Sequence, residues 1–233
     1  MPKYHITTVD WNPEQTTLWL HHLRKNCRDF SVSLLPNVRR FASCWSSPKL
    51  NCLNQEFDTQ HVIYMDTDTI VTRDLWEMFE WMGDAELGLS LCLGTKQSLH
   101  ALTKPHGEEI LSSFGLSKFP RRVPTGLMVF NKISPKTIYD GWCEAFSKID
   151  AGWPDLPGKW GQEREGWSNE VSFSFWLARQ RMRIKDIPKE FHHYLLSNDT
   201  YISRCKTLPM IIHYHSRLDR VRRAGLDYLL SIE

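Results

Sequence analysis

Two aspartates one residue apart, Asp66 and Asp68, close the apolar run His61-Val62-Ile63-Tyr64-Met65. Side chains at i and i+2 of an extended chain share a face, so the pair presents two carboxylates to one point. Carboxylates held that close repel each other. A divalent cation that takes oxygen ligands, Mg²⁺ or Mn²⁺, relieves the repulsion and can in turn hold a diphosphate. Asp-Thr-Asp also suits a plain strand exit in which each aspartate caps the local backbone. The flanks favour chemistry: an apolar strand precedes the pair, and Ile70-Val71 follow it. Thr72 through Phe79 then reads as the entry to an amphipathic helix, with Asp74 near its N-terminus. An EF-hand calcium loop is excluded, because it needs a third oxygen ligand, a glycine and a distant glutamate where Ile70 and Val71 stand.

The elements that must position this pair alternate along the chain. Residues 4–10 read as a strand, Thr16 to Asn26 as a helix carrying Leu18, Leu20 and Leu23, and Phe30 to Leu35 as a second strand. The Asp-Thr-Asp strand comes next, then a helix over 74–82, a strand Leu87 to Cys92, an irregular stretch to about 122 and a strand over 127–130. Pro135 sits in the first turn of a helix over 136–149. Residues 150–167, rich in Gly, Pro and Trp, show no period; so long an unstructured loop argues for a use. A helix Ser168 to Arg181 and a strand Arg183 to Ile187 follow. Alternation of strands and helices implies a mainly parallel sheet, with ligands at the carboxyl ends of its strands.

At this point the chain resembles a family. A hydrophobic strand, D-x-D, T-x-V and a helix beginning D-L-W are similar to the metal-binding signature of GT-A-fold glycosyltransferases, most closely the family 8 type (the glycogenin and bacterial galactosyltransferase group). Pro124-Thr125-Gly126-Leu127-Met128-Val129-Phe130-Asn131 is similar to that family's N-S-G-V-M-L-F-N strand. Ile211-Ile212-His213-Tyr214-His215-Ser216 is similar to its H-F-x-G segment. Three motifs in the family's order and spacing cover most of the chain. The resemblance implies one GT-A-type α/β domain over residues 1–233, with a Rossmann-like sheet flanked by helices. The implied activity is sugar transfer from a nucleotide diphosphate donor, a UDP-sugar, to a glycan or other hydroxyl acceptor with the help of Mn²⁺ or Mg²⁺. Such a reaction passes through an oxocarbenium-like transition state, and a metal bridging the phosphates neutralises the charge that grows on the leaving group.

Carried over residue by residue, the resemblance makes Asp68 a metal ligand, and Asp66 a contact to the metal or to the donor's ribose, with Thr67 between them. It makes His213 the third ligand. The residues alone leave His213 and His215 open, since both fall on one side of an extended chain. The family continues G-x-x-K-P-W, with the lysine on the diphosphate; this chain has Ser216-Arg217-Leu218-Asp219-Arg220 instead, so Arg217 or Arg220 takes that role, with the bidentate grip a guanidinium offers phosphate. A solvated helix face explains those arginines equally well. Thr7, Thr8, Val9 and Asp10 end the first strand, where the fold holds the nucleotide base. Lys49 stands where the family has a basic residue facing the phosphates. Thr125 and Gly126 match the sugar-pocket position, the glycine permitting close backbone approach. Asn169 and Glu170 replace the family's D-Q-D. Glu170 is the best available general base for an acceptor hydroxyl, which points to inversion, whereas the family resemblance points to retention. A carboxylate in the first turn of a helix is also what the dipole favours. Trp142 and Trp176 fall in helices and read as core. Trp153, Trp160 and Trp167 could stack on sugar rings or pack in the core.

Composition bounds the rest. The 233 residues carry a formal net charge of +2, without the global basic field of a nucleic-acid binder. No apolar run reaches a membrane span, and the start does not read as a signal peptide. Six cysteines (Cys27, Cys44, Cys52, Cys92, Cys143, Cys205) form no C-x-x-C pair, which suits free thiols in a cytoplasmic, reducing compartment. Two rival functions remain. A haloacid-dehalogenase-like Mg²⁺ phosphatase also ends a strand in D-x-D, but it places threonine where Ile70 stands. A non-catalytic carbohydrate-binding protein on the same fold would have no use for both aspartates and a histidine ligand.

Overall fold

The computed structural model describes residues 2–41, 47–90, 99–154, 156, 169–195 and 201–232. Its frame is a six-stranded sheet in the order β2-β1-β3-β6-β5-β7, built from β1 (Tyr4–Asp10), β2 (Phe30–Pro36), β3 (His61–Met65), β5 (Leu87–Ser90), β6 (Leu127–Asn131) and β7 (Ile184–Ile187). β1 pairs parallel with β2 and β3, and β5 pairs parallel with β7, whereas β6 runs antiparallel to both β3 and β5. Five strands therefore point one way. The mainly parallel sheet expected from the sequence is present, and the reversed β6 is its departure. Hydrophobic period does not encode strand direction, so nothing in Leu127-Met128-Val129-Phe130 announced the reversal.

Both faces of the sheet are covered, and alternation shows it. In β3, Val62 and Tyr64 join one core cluster while Ile63 and Met65 join another; in β6, Met128 and Phe130 separate likewise from Leu127 and Val129. The first face packs under helices α2 (Lys49–Leu53), α4 (Leu99–Leu102), α5 (Gly107–Ser113), α6 (Pro135–Gly152) and α7 (Asn169–Leu177). The second packs under α1 (Pro13–Asn26) and α3 (Trp76–Met82). Local chemistry sets the helix starts. Asn12 accepts from the backbone N–H of Glu14 and Gln15 ahead of Pro13, and Ser134 accepts from that of Lys136 ahead of Pro135, each a polar cap followed by proline at the first helical position. The helix expected over 74–82 begins at Trp76, whose N–H donates to Asp74 Oδ1 at 3.1 Å.

Three features depart from the sequence reading. The stretch taken as irregular up to residue 122 holds α4 and α5, and α2 lies ahead of β3; these helices have four, seven and five residues, too short to show a period. The helix expected from Ser168 to Arg181 runs from Asn169 to Leu177 and is buried on every side, so it carries no amphipathic stripe. A second, three-stranded sheet, order β4-β9-β8, joins β4 (Thr69–Val71), β8 (His192–Tyr194) and β9 (Ile211–His213). It has its own small core of Ile70, Leu195, Ile202, Ile212, Tyr214, Val221 and Leu226, closed by α8 (Leu218–Arg223).

Candidate active site

β3 ends in the large sheet and β4 begins the small one, and Asp66, Thr67 and Asp68 are the three residues between them. Two pairings lock this corner. The backbone N–H of Asp66 donates to Gly126 O at 2.9 Å, which ties it to the approach of β6. The N–H of Tyr214 donates to Asp68 O at 3.1 Å. β4 and β9 run antiparallel with Thr69 opposite His213, so the small sheet delivers His213 beside Asp68: its Nε2 lies 3.0 Å from Asp68 Oδ1. One ligand atom each from Asp66, Asp68 and His213 falls within 4.8 Å of the others. Two carboxylate oxygens and an imidazole nitrogen suit Mn²⁺ or Mg²⁺, and the donor set fits that ion.

The corner is tight because residue 126 is glycine. A Cβ there would stand 2.6 Å from His213 Cε1 and 3.1 Å from Asp66 Oδ2, so the bare backbone is what lets the histidine and the carboxylate converge. The carboxylates are not bare, contrary to the simple repulsion argument. Asp66 Oδ2 accepts from Lys49 Nζ at 2.8 Å and its Oδ1 from the Tyr64 hydroxyl at 2.5 Å; Asp68 Oδ2 accepts from the Ser216 hydroxyl at 3.2 Å. Burial alone would raise the Asp68 carboxyl's pKa. The charge and hydrogen bond of His213, with smaller contributions from His215 and Lys49, outweigh that and hold it well below the usual carboxylate range. Tyr64 is pushed the other way, far above an ordinary phenol, by its burial and then by the Asp66 charge, so it stays a donor.

From Lys49 a polar chain runs across to the start of α7. Lys49 Nζ also reaches Thr125 O at 3.4 Å, and the Thr125 hydroxyl donates to Asn169 Oδ1 at 3.0 Å. Glu170, next in the chain, accepts from Arg122 Nε at 2.5 Å in a pair whose side chains are only 7% and 8% exposed. The structure thus brings together Lys49, Asp66, Asp68, Thr125, Gly126, Asn169 and His213. Thr67 is buried between the two aspartates, and its hydroxyl has no partner among the described residues.

The other expected site residues lie apart. Thr7 and Thr8 are buried with their hydroxyls donated to the backbone oxygens of Cys52 and Met65, Val9 is core, and Asp10 accepts from the Thr16 hydroxyl at 2.6 Å. Arg217 pairs with Asp219 at 3.0 Å, and Arg220 donates to Leu195 O. His215 does not continue the strand: it and Ser216 take left-handed backbone angles, φ 54° and 58°. Its ring stacks on those of His213 and Tyr194, with centroids 4.6 and 5.0 Å apart. Ser216 holds the place where the resembled motif has glycine, and its positive φ is the physical reason a glycine suits that place. Trp142 and Trp176 are core as expected. Trp153 is half-buried against the core and donates to Glu109 Oε2 at 3.0 Å, whereas Trp160, Trp167 and most of 150–167 lie outside the described residues. Sequence reasoning missed Tyr64, Ser216, Arg122 and His192, which stands behind His213. Only Tyr64 carried a signal, lying two residues before Asp66 and so on its face of the strand.

The sequence matches no protein-family model and no curated protein. Solved structures do share the fold. The bifunctional glycosyltransferase WbbM superposes with a TM-score of 0.56 at 11% identity, covering 100% of this chain and 51% of its own, so the chain spans about half of WbbM. Mouse xyloside xylosyltransferase 1 gives 0.54 at 12% identity, with 93% and 99% covered. The galactosyltransferase LgtC, solved with donor and acceptor sugar analogues, gives 0.56 at 10% identity, with 97% and 95% covered. The fold is that of GT-A-type glycosyltransferases, as the motifs suggested; at these identities the likeness is one of fold.

Proposed function

We propose that this chain, as one domain over residues 1–233, is a metal-dependent glycosyltransferase moving a sugar from a nucleotide diphosphate, a UDP-sugar, to a glycan or other hydroxyl acceptor. The observation that carries the reading is the convergence of Asp66, Asp68 and His213 within 4.8 Å at the strand ends of a GT-A-type sheet. Asp68 and His213 hold the Mn²⁺ or Mg²⁺, with Asp66 on the metal or the ribose. When bound, the ion supplies Lewis-acid neutralisation of the leaving diphosphate. Lys49, buried beside Asp66, adds a fixed positive charge on the same side. A cavity of about 350 Å³, lined by Asn12, Gln15, Leu18, Tyr214, Ser216 and Arg217 among others, adjoins Asp68 through Ser216. It gives a nucleoside room between the first turn of α1 and the loop after β9, and none of Thr7, Thr8, Val9 and Asp10 lines it.

On the acceptor side, Asn169 and Glu170 take the transfer role. Glu170 serves as general base only if it releases Arg122; held in the pair, it anchors Asn169 instead. Glu170→Gln separates these roles: a base predicts a fall in turnover on the order of 10² or more with donor affinity intact, an anchor a near-normal rate. The rival phosphatase has no support in the fold. The deciding experiment is a screen of UDP-, GDP- and dTDP-sugars for metal-dependent hydrolysis without acceptor. Release of UDP that stops in chelator is expected, and a donor turned over equally well in chelator would refute metal dependence. No helix among the described residues is long and apolar enough to cross a membrane, and the described cysteines Cys27, Cys52, Cys143 and Cys205 are free thiols. The free thiols support our reading of a cytoplasmic enzyme.

A further inference from the structure

Behind His213 lies a second imidazole that the proposed chemistry does not use. His192 opens β8, whose parallel pairing with β9 sets Tyr194 beside His213, and it is 2% exposed. Its Nε2 lies 3.3 Å from Nδ1 of His213. Its own Nδ1 is buried and has no hydrogen-bond partner among the described residues. A contact between two imidazole nitrogens holds one proton, so the tautomers of two neutral rings are tied together. In one state His192 donates from Nε2 to His213 Nδ1, and His213, protonated on Nε2, donates to Asp68 Oδ1 at 3.0 Å. In the other, His213 donates from Nδ1 to His192 Nε2; its own Nε2 is then a free lone pair, and the proton of His192 sits on the buried Nδ1. The first state leaves that Nδ1 an unfilled acceptor, the second an unfilled donor. A buried orphan N–H is the rarer and costlier of the two, so the metal-free protein rests in the first.

We infer that His192 is a positioning residue that switches His213 between these tautomers, presenting Nε2–H to Asp68 in the metal-free protein and an Nε2 lone pair to a divalent cation. The inference rests on the reading of Asp66, Asp68 and His213 as a cation site and deepens it. Protons balance: each ring keeps one, each shifts it from Nε2 to Nδ1, and none leaves the pair. The count is that of two neutral rings, the form in which His213 Nε2 can serve as a ligand at all. A metal-bound histidine ordinarily passes its other N–H to a carboxylate, a backbone carbonyl or water. Here an imidazole accepts it and strands its own N–H, so the ion is bound less tightly than it would be with an acceptor that strands nothing. That cost makes the site one that releases its ion.

The test is Mn²⁺ titration without donor, by the electron paramagnetic resonance of free Mn²⁺, on wild type, His192→Phe and His192→Asn, together with imidazole ¹⁵N spectra of wild type with and without Mg²⁺. His192→Phe keeps the ring volume and removes the acceptor; it should bind Mn²⁺ about 10- to 100-fold more weakly, and His192→Asn, whose amide oxygen accepts from His213 Nδ1–H, should recover most of the loss. In the spectra both rings should carry their proton on Nε2 without Mg²⁺ and on Nδ1 with it. Equal affinity of His192→Phe and wild type, or His213 already protonated on Nδ1 without metal, overturns the inference while leaving the cation site standing. A wild type that binds no Mn²⁺ overturns the cation reading and this inference with it. Should His192→Phe fail to fold, the wild-type spectra decide alone.

Discussion

The two sheets of this molecule do different work. The six-stranded sheet is covered on both faces and packs in a core with large buried side chains, among them its own Phe130 and, from α6, Trp142. The three-stranded sheet has three residues per strand and a small cluster of its own, yet its register alone sets His213 against Asp68. Stability is thus concentrated in the large sheet, and the geometry of the proposed cation site is divided between the two: Asp66 belongs to the end of β3, His213 to β9. Gly126, on the approach to β6, is where they touch.

This division can be broken most forcefully in the core. Phe130→Ala should cost about 3–5 kcal/mol of unfolding free energy, read from urea denaturation, while the folded fraction keeps its Mn²⁺ affinity. Ile212→Val, beside His213 in β9, should cost only about 0.5–1.5 kcal/mol and still weaken Mn²⁺ binding more than Phe130→Ala does. The opposite ranking of affinities would show that the two sheets share one task.

The next effect belongs to the seam itself. At UDP and Mn²⁺ a hundredfold above their dissociation constants, binding should stabilise the wild type by about 2.7 kcal/mol. Asp68→Asn should abolish that protection with the metal-free protein still folded, because an amide oxygen continues to accept from His213 and Ser216. Protection by UDP that survives the substitution, or survives chelator, would remove Asp68 from the metal. Gly126→Ala should follow, at about 1–3 kcal/mol of overpacking, with Mn²⁺ affinity lowered as His213 and Asp66 are forced apart. A neutral outcome in both measurements would mean that β6 and the small sheet shift freely against each other.

What the sequence made legible follows the same line. Short strand-like runs exposed β1, β3 and β6, and the strand end exposed Asp66 and Asp68, because each signal lies within a few residues. Lys49 was legible only through a motif, and its burial against Asp66 was not. Ile70-Val71 and the His213 motif were visible, but their assembly into a small sheet was not: three-residue strands have no measurable period, and β8 and β9 meet β4 from far along the chain. His192 was invisible for that reason, since only the pairing of Tyr194 with His213 places it behind the proposed ligand. Arg122 is 48 residues from Glu170, and no local pattern links an arginine before a proline turn to the first turn of α7.

The smallest effect, and the one that compares the sheets by a common measure, is acid sensitivity. His5 in β1, His22 in α1 and His61 in β3 surround the large sheet, and His192 lies in the small one; burial lowers the pKa of all four below the ordinary histidine value. The unfolded chain therefore binds more protons than the folded one once the pH drops below about 6.5. Stability that is complete above that value is lost as the pH falls from there towards the depressed folded values. Each group contributes a slope of at most about 1.4 kcal/mol per pH unit. His22 is the clearest probe, being 3% exposed, with Nε2 2.7 Å from Leu229 O. His22→Gln keeps a donor for that carbonyl and removes the titration. Thermal unfolding between pH 7.5 and 5 should show a shallower loss of stability in His22→Gln than in wild type, with the two proteins alike above pH 7; parallel curves throughout would mean that His22 takes up its proton in the folded protein as readily as in the unfolded chain.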